Sequence, residues 1–432
     1  QPVRGARDFV GIEKNRREYV VELLIGKFKN YGFEAFETPA MERLEVLSSK
    51  FAGGEEILKE TFKVIDQGNR ELGLRYDLTV PLCRYIAANT RIPMPFKRYA
   101  IGPVWRDGPL KTGRFREFVQ CDVDTVGAPS FLADAELLAL ASEIMEKLFS
   151  KNFIIKINNR KILDGILEFS GVEEEKRKKA ILELDKLAKI GPIGVGKELE
   201  TMGIGASEIK TILDLVNSNG NEAKIFSKLE KNLAKGVGLE GILEIKQVLE
   251  FAAEMDCRNL VFDPSLARGL NYYTSTIFEV YLKDGEIKSS LAGGGRYDDL
   301  IGKFAGASEK IPACGISFGL DVICECLRNQ KIEFKENKKS AILFLAIKDD
   351  PKVRKYALEI ASKFRESGKL NCLFDLNGRS VSKNLEFASK KGIDFAFIVG
   401  NKEFDEKKIT IRELSTGKES MLLLNDALSK FE

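Results

Sequence analysis

Two stretches of this chain mix residue types that a packed core would not tolerate. The first, LARGLNYYTSTIFEV at 266–280, sets an arginine beside a glycine, then two tyrosines, then a strand-forming run. A buried strand does not carry Arg268, Tyr272 and Tyr273 unless something polar lies against them. Residues 292–299 (AGGGRYDD) follow, where a triple glycine lets backbone approach a ligand and Tyr297 comes after another arginine. Together the two runs suggest the wall of a small, polar, aromatic pocket. The second stretch is PVWRDGPLKTGRFREFVQCDVDTVG at 103–127. Arg106, Arg114 and Arg116 flank a loop rich in Gly and Pro, and positions 116, 118, 120, 122 and 124 share one face of the strand after it. That face reads Arg, Phe, Gln, Asp, Asp. It suits a ligand wall, with a solvated edge strand as the alternative.

Whatever chemistry these residues perform is built without histidine, because the 432 residues contain none. Histidine triads, histidine metal ligands and histidine general bases are excluded together. Seven cysteines with no C-x-x-C pair supply neither a disulfide framework nor a structural zinc site, and Cys324 and Cys326 read as helix packing. A chain of this length exceeds what one core serves, so two or three domains are expected. The 44% hydrophobic and 31% charged fractions describe a folded globular protein. No apolar run nears the roughly 20 residues of a membrane span, and no basic-then-apolar leader opens the sequence. A cytoplasmic protein without a membrane partner is therefore expected. The net charge of +3 decides nothing about nucleic acid.

The elements that must position these residues can be read from periodicity. Residues 12–32 carry apolar and charged residues at helical spacing and end at Gly32. Residues 33–39 (FEAFETP) alternate as a half-buried strand does, and 61–76 suggest a hairpin about a Gln-Gly-Asn-Arg turn. Residues 96–106 and 115–126 read as two strands around the Asp-Gly-Pro loop, and 133–149 as an amphipathic helix. Strand patterns then vanish, so 157–255 is expected to be a helical insertion. They resume at 259–262. After a charged linker, 341–347, 371–376 and 395–400 alternate with helices at 351–367 and 380–391, as a small α/β domain with a mostly parallel sheet would.

The segment 103–127 resembles motif 2 of the class II aminoacyl-tRNA synthetases, specifically the histidyl-tRNA synthetases. The runs at 266–280 and 292–302 resemble the two histidine-specific signatures of that family. VRGARDFVG at 3–11 is similar to its start, and LRYDLTVPLCRYIA at 74–87 to the strand bearing its amino-group ligand. Five motifs in order cover nearly the whole chain. The resemblance implies an α+β catalytic domain with an antiparallel sheet, from 1–156 and 256–328. It further implies the helical insertion at 157–255 and a C-terminal α/β anticodon-binding domain at 338–432. It implies formation of histidyl-adenylate from histidine and ATP with Mg2+, then transfer to the 3′ end of tRNA(His). Positioning and charge stabilisation can supply most of such a rate enhancement without a protein nucleophile. Arg106 and Arg268 then resemble the catalytic arginines on the α-phosphate, each offering forked donors to phosphate oxygens. Arg114, Arg116 and Asp107 resemble further ATP-site groups. Asp77 and Thr79 resemble the ligands of the α-amino group, and Gln120 that of the histidine backbone. Asp124, Tyr272, Tyr273 and Tyr297 complete the histidine site, with Asp124, Tyr273 and Tyr297 reading the ring. No side-chain metal ligand is implied beyond Mg2+ held by ATP phosphates. Residues 34–47 resemble motif 1, which implies a homodimer.

The sequence departs from the family at three places. Asn271 stands where the signature usually has Asp, the acidic residue after the motif 2 arginine is shifted to Asp107, and Val322 stands where motif 3 usually ends in an arginine. Arg328 or a loop arginine would have to substitute there, and archaeal-type members resemble this chain in that lack. Gly191–Lys197 approaches a P-loop spacing, but Glu198 occupies the magnesium-binding hydroxyl position, so a turn between helices is expected. The basic run 176–179 reads as a solvated helix face or an RNA contact. The rival function is a non-catalytic synthetase paralogue acting as regulatory subunit of ATP phosphoribosyltransferase. Such proteins typically lack the C-terminal domain and degrade the RGLxYY signature, and this chain keeps both.

Overall fold

The computed structural model describes residues 1–48, 59–110, 115–218, 220–270, 272–306, 310–330, 340–345 and 350–431. The chain forms two compact units, Gln1–Ile332 and Glu333–Glu432. The first is built on an eight-stranded sheet. Its strands run in the order β1 (Glu34–Ala35), β5 (Phe96–Trp105), β6 (Glu117–Val126), β11 (Ala313–Gly319), β10 (Ala292–Arg296), β9 (Thr276–Leu282), β7 (Phe153–Asn159) and β8 (Leu260–Phe262). Every interior pair is antiparallel, and only the two edge pairs, β1 with β5 and β7 with β8, are parallel. A three-stranded sheet of β2 (Met41–Arg43), β4 (Glu71–Leu74) and β3 (Lys63–Ile65) lies apart, and β3 and β4 are the expected hairpin. The helices up to β7 are α1 (Ile12–Asn30), the single turn α2 (Leu44–Leu47), α3 (Thr79–Ala88) and α4 (Leu132–Phe149).

Because side chains alternate across a pleated strand, the large sheet has two unlike faces. Tyr99, Cys121, Val123, Ile316 and Phe318 point to one. There α1 delivers Phe28, whose ring centroid lies 5.6 Å from that of Tyr99 and 5.9 Å from that of Phe318. Helix α4 buries Leu137, Leu138 and Ile144. The opposite face carries Arg98, Ala100, Gly102, Gln120, Asp122, Asp124, Gly293, Gly295, Gly315 and Ser317, brought side by side by the pairing register. That second face is the polar wall suggested by the sequence. Two readings change. Only Glu34–Ala35 of the 33–39 run pairs as strand, since beyond the Phe36 N–H bond to the Tyr99 carbonyl the chain leaves the sheet. Arg296 does not line the pocket; as the neighbour of Gly295 on β10 it points to the helix side and is 1% exposed.

Among the described residues of 160–254 the regular elements are all helices. They comprise α5 (Arg160–Phe169), α6 (Glu174–Leu184), α7 (Leu187–Thr201), α8 (Ala206–Val216), α9 (Glu222–Asn232) and α10 (Gly236–Glu254). Helices α5 and α10 approach at glycines, with a methyl on Gly238 falling 3.2 Å from the Gly165 Cα and one on Gly241 falling 2.8 Å from the Ile162 nitrogen. The P-loop-like run lies inside α7, at a kink where Gly191 has φ 70° and Pro192 follows. A helix on both sides of the kink leaves no strand–loop–helix cradle there. Two further helices, α11 (Leu300–Phe304) and α12 (Leu320–Asn329), follow β10 and β11.

The second unit holds a five-stranded sheet in the order β13 (Asn371–Phe374), β12 (Ser340–Leu345), β14 (Phe395–Val399), β15 (Lys408–Glu413) and β16 (Glu419–Leu423). Its first three strands are parallel, and the last two are antiparallel additions that make the sheet mixed where a mostly parallel one was expected. Helix α13 (Pro351–Ser367) starts on Asp350, whose carboxylate accepts from Lys352 N at 2.8 Å, and stops at Gly368 in the left-handed region. It buries Val353, Ile360 and Phe364 against Phe395 and Phe397. The linker read at 329–340 lies mostly outside the described residues.

A buried ion pair joins α4 to β10. Arg296 donates through Nε to Asp134 Oδ2 at 3.1 Å and also through Nη2, and its Nη1 reaches the Ala128 carbonyl at 3.2 Å. Asp134 is fully buried. Removing one partner strands the other charge away from water, so Asp134→Ala is expected to lower the unfolding free energy by about 3–5 kcal/mol. Urea denaturation reads this directly, and a loss below about 1 kcal/mol would place the pair among weak, solvated ones.

Candidate functional site

A fully buried guanidinium sits at the floor of the polar face. Arg98 on β5 is 0% exposed, and the register places it opposite Asp124 on β6. Its Nη2 lies 2.6 Å from Asp124 Oδ2 and donates to the Leu78 carbonyl at 3.1 Å. The contact to Asp124 is ionic but poorly aligned, so that carboxylate oxygen still lacks a hydrogen bond. The other oxygen accepts from the Tyr297 hydroxyl. Burial pushes the Asp124 carboxyl up, with Arg98 and Tyr297 opposing. Sequence reasoning passes over Arg98. Its signal was in the hairpin register, where counting back across the 106–116 loop sets it against Asp124.

Two residues along β6, Asp122 is also buried, with Oδ1 lacking any hydrogen-bond partner. Burial raises its carboxyl to about 7, Arg98 opposing and Asp124 adding to the rise. The Ser317 hydroxyl hydrogen-bonds it, and Gln120 Nε2 donates to that same Ser317 oxygen at 2.7 Å. Gln120 Oε1 is again without a partner. Gln120, Asp122 and Asp124 therefore do share one face, as the alternation implies.

A third acid comes from the segment before α3. Asp77 accepts from Val80 N at 2.9 Å through Oδ1, while Oδ2 is buried and unpartnered. Burial lifts it to about 6, against the Val80 and Thr79 amides and the nearby charge of Arg106. Arg106 follows β5 directly. Its Nε donates to the Tyr76 carbonyl at 3.1 Å, and its guanidinium lies 5.2 Å from the Phe118 ring centroid. Arg75 lies on the same side, and a methyl on Gly102 would come 2.5 Å from its Nη2.

The 266–280 run closes the site. Arg268 has φ 51°, unusual for a residue with a Cβ. It is held there by Arg160, whose Nη1 donates to the Ala267 and Arg268 carbonyls at 3.0 and 3.2 Å. The Arg268 Nη1 donates to Glu279 at 3.1 Å, passing where a Gly293 side chain would be, and Nε has no partner. Tyr272 packs 4.7 Å from the Tyr273 ring and 6.0 Å from that of Tyr297, all three buried. A methyl on Gly295 would sit 2.9 Å from the Tyr273 ring, and one on Gly315 would collide with Asp124 Oδ1. The glycines are therefore needed as bare backbone.

Other expected residues fall differently. Arg116 and Asp107 pair with each other at 3.3 Å at the base of the motif 2 loop. Arg114 and Asn271 lie outside the described residues. Val322 is in the first turn of α12, beside Gly319 and thus near Gln120. Arg328 is at the other end of that helix, about 9 Å further along its axis, exposed and paired with Glu325. It is not placed to replace an arginine at position 322. A hollow of about 560 Å³ lies along Glu37, Pro39, Glu42, Arg84 and Tyr85. Among the described residues no group of three or more acids or cysteines is arranged to hold a metal ion, and no helix is long and apolar enough to cross a membrane.

An antiparallel-centred sheet with buried acids and arginines on one face, and a second, mixed-sheet unit after it, defines a class II aminoacyl-tRNA synthetase. Residues 5–323 match the histidyl-tRNA synthetase family and residues 339–432 match the anticodon-binding domain, so the chain belongs to the histidyl-tRNA synthetase family. A histidine–tRNA ligase 1 of Bacillus cereus is 39% identical over 418 residues, covering 96% of each chain. Histidine–tRNA ligase of Gloeobacter violaceus is 35% identical, covering 98% of this chain and 96% of its own. The crystal structure of histidyl-tRNA synthetase from Nostoc sp. PCC 7120 superposes with a TM-score of 0.84 at 31% identity, covering 100% of this chain and 98% of that one. A Bacillus halodurans protein described as an ATP phosphoribosyltransferase regulatory subunit/histidyl-tRNA synthetase shares the fold, with a TM-score of 0.76 at 20% identity over 93% of this chain and 98% of that one.

The raised acids have a cost in stability. An unfolded aspartate ionises near about 3.9, whereas Asp122 in the folded chain keeps its proton to about 7. Between those values the folded state binds more protons, so stability falls as pH rises through the window. Asp122→Asn removes this loss. The variant is expected to be more stable than wild type by about 1–3 kcal/mol near pH 8, with the difference vanishing towards pH 4. Urea denaturation at the two pH values checks it, and a difference independent of pH would contradict the assignment.

Proposed function

We propose that this site activates histidine as histidyl-adenylate and passes it to tRNA(His), with the ring of the amino acid between Asp124 and the three tyrosines. The observation that carries the reading is the set of buried, unpartnered acceptors on Asp77, Gln120 and Asp122 beside the Tyr297–Asp124 bond. These flank Arg106 and Arg268, two guanidiniums suited to phosphate and carboxylate oxygens. A zwitterion with a two-nitrogen ring matches that distribution: ammonium to Asp77, ring N–H to Asp124, carboxylate to the arginines. Such a polar site rejects apolar isosteres strongly, because its own groups would be left unpaired.

In this reading Asp77, Thr79 and Gln120 hold the histidine backbone, and Asp124, Tyr272, Tyr273 and Tyr297 surround the ring. Arg106 and Arg268 stabilise charge developing on the α-phosphate as the histidine carboxylate displaces pyrophosphate. Arg114, Arg116 and Asp107 serve ATP or the tRNA end, and magnesium travels with the ATP phosphates without an assigned side-chain ligand. Residues 1–156 and 256–328 form the catalytic domain, 157–255 the insertion towards the acceptor arm, and 338–432 the anticodon-binding part. We further infer a homodimer through 34–47 and a cytoplasmic location. The relatives named above are bacterial, so the archaeal-type comparison drawn from Val322 gains no support from them.

Histidine-dependent exchange of pyrophosphate into ATP tests the reading against a non-catalytic regulatory paralogue, which would show none. Arg268→Ala is expected to lower the exchange rate about 10²–10³-fold, the range for losing one donor to developing negative charge. Histidine binding measured by equilibrium dialysis should weaken far less. Equal losses in the two measurements would assign Arg268 to ground-state binding.

A further inference from the structure

We propose that Asp122 is a second carboxylate for the substrate α-ammonium, beside Asp77, and that it gives up its proton to solvent when that cation enters. The proposal rests on the histidine-site reading above, which counts Asp122 among the open acceptors without giving it a contact to the substrate.

Asp77, Asp122 and Asp124 are 5%, 2% and 2% exposed, and two buried guanidiniums lie with them, Arg98 at 0% and Arg75 at 5%. Arg75 is spent on backbone, donating to the Thr38 carbonyl at 2.6 Å and the Pro103 carbonyl at 3.0 Å. Arg98 is committed to Asp124 at 2.6 Å, and Asp124 also accepts the Tyr297 hydroxyl. Asp122 has the Ser317 hydroxyl on its carboxylate, and its Oδ1 faces no donor. Gln120 is turned by the same serine so that its amide nitrogen is used and Oε1 is left over. Asp77 Oδ2 is left over as well. Apart from the Asp124 oxygen that faces Arg98, three buried acceptors on this wall thus lack donors. An ammonium group supplies three N–H donors and one positive charge together. A hydroxyl or a water supplies donors without the charge.

The titratable and charged groups facing Asp122 come from four places. They are Arg98 from β5, Asp124 and the Cys121 thiol from its own strand, Ser317 from β11, and Asp77 with Arg75 from the segment before α3. Burial keeps the Asp122 carboxyl protonated to about 7, so a cation placed against it changes its charge near neutral pH. The step balances simply: the carboxylic O–H bond breaks, the proton leaves to buffer, and the ammonium keeps all three of its protons. With no histidine in the chain, no imidazole of the protein can mimic the signal.

Titration calorimetry of the full chain with L-histidine, in two buffers of different ionisation enthalpy near pH 7, counts protons released per ligand bound. Wild type is expected to release about half a proton more than Asp122→Asn, since a group titrating near 7 is about half protonated there. The imidazole of the ligand titrates in both and cancels. Asp122→Asn should also bind histidine about tenfold more weakly. Imidazole propionate, which keeps ring and carboxylate but has no ammonium, should release none of the Asp122 proton. Ser317→Ala removes the hydroxyl that favours the carboxylate, so the pH midpoint of release should move upward. Equal release by wild type and Asp122→Asn, equal release with imidazole propionate, or an unmoved midpoint in Ser317→Ala would each overturn the proposal while leaving histidine binding intact. Failure of wild type to bind histidine at all would instead overturn the site reading on which it rests.

Discussion

A charge sealed from water must be neutralised where it stands, and in this protein the demand falls on Arg98. Its contact with Asp124 ties β5 to β6 at one register, and its bond to the Leu78 carbonyl ties the segment carrying Asp77 and Thr79 to the sheet. Asp124 in turn accepts Tyr297, the residue just after β10. One side chain thus gathers the central strands, the entry to α3 and an aromatic wall around the same point. It also divides the labour among the acids. Asp124 is held by Arg98 and Tyr297 from within the protein, and Asp122 and Asp77 keep oxygens without protein donors.

Much of this was legible in the sequence where a local rule sufficed. The period of two on β6 places Gln120, Asp122 and Asp124 on one face regardless of what surrounds them, and the hairpin on either side of the 106–116 loop is equally local. The signature at 266–280 announced itself by putting polar groups in a strand-forming run. What the sequence could not show depends on long-range partners. Arg98 looks like any strand arginine until the register sets it against Asp124. Arg296 and Tyr297 are neighbours in one motif, yet the pleat sends Arg296 to Asp134 on the helix side and Tyr297 to Asp124 in the site. In the C-terminal unit β15 and β16 carry short, half-polar alternations that only their pairing with β14 makes visible as strands.

The bracing of Arg268 was hidden for the same reason. Its left-handed backbone is held by Arg160, at the start of α5, and by Asn158, which donates to the Pro264 and Leu266 carbonyls at 3.1 and 2.8 Å. A further tie comes from Glu244 on α10, which accepts from Ser275 at 2.6 Å and from Asn159 at 2.8 Å. Helices that lack any strand pattern therefore hold the signature strand in place. Side-chain-to-backbone bonds across about a hundred residues leave no periodic trace for a sequence reader to find.

The glycines at 293, 295, 315 and 102 have an evolutionary consequence. A pocket bounded by side chains can be enlarged by shortening them, but one floored by bare peptide has nothing left to remove. Every substitution at these four positions adds atoms where Arg268, Tyr273, Asp124 or Arg75 already lies. Mutation can make this floor shallower and never deeper. Drift towards a bulkier substrate is thereby closed along that direction, and any change in selectivity has to come from the walls.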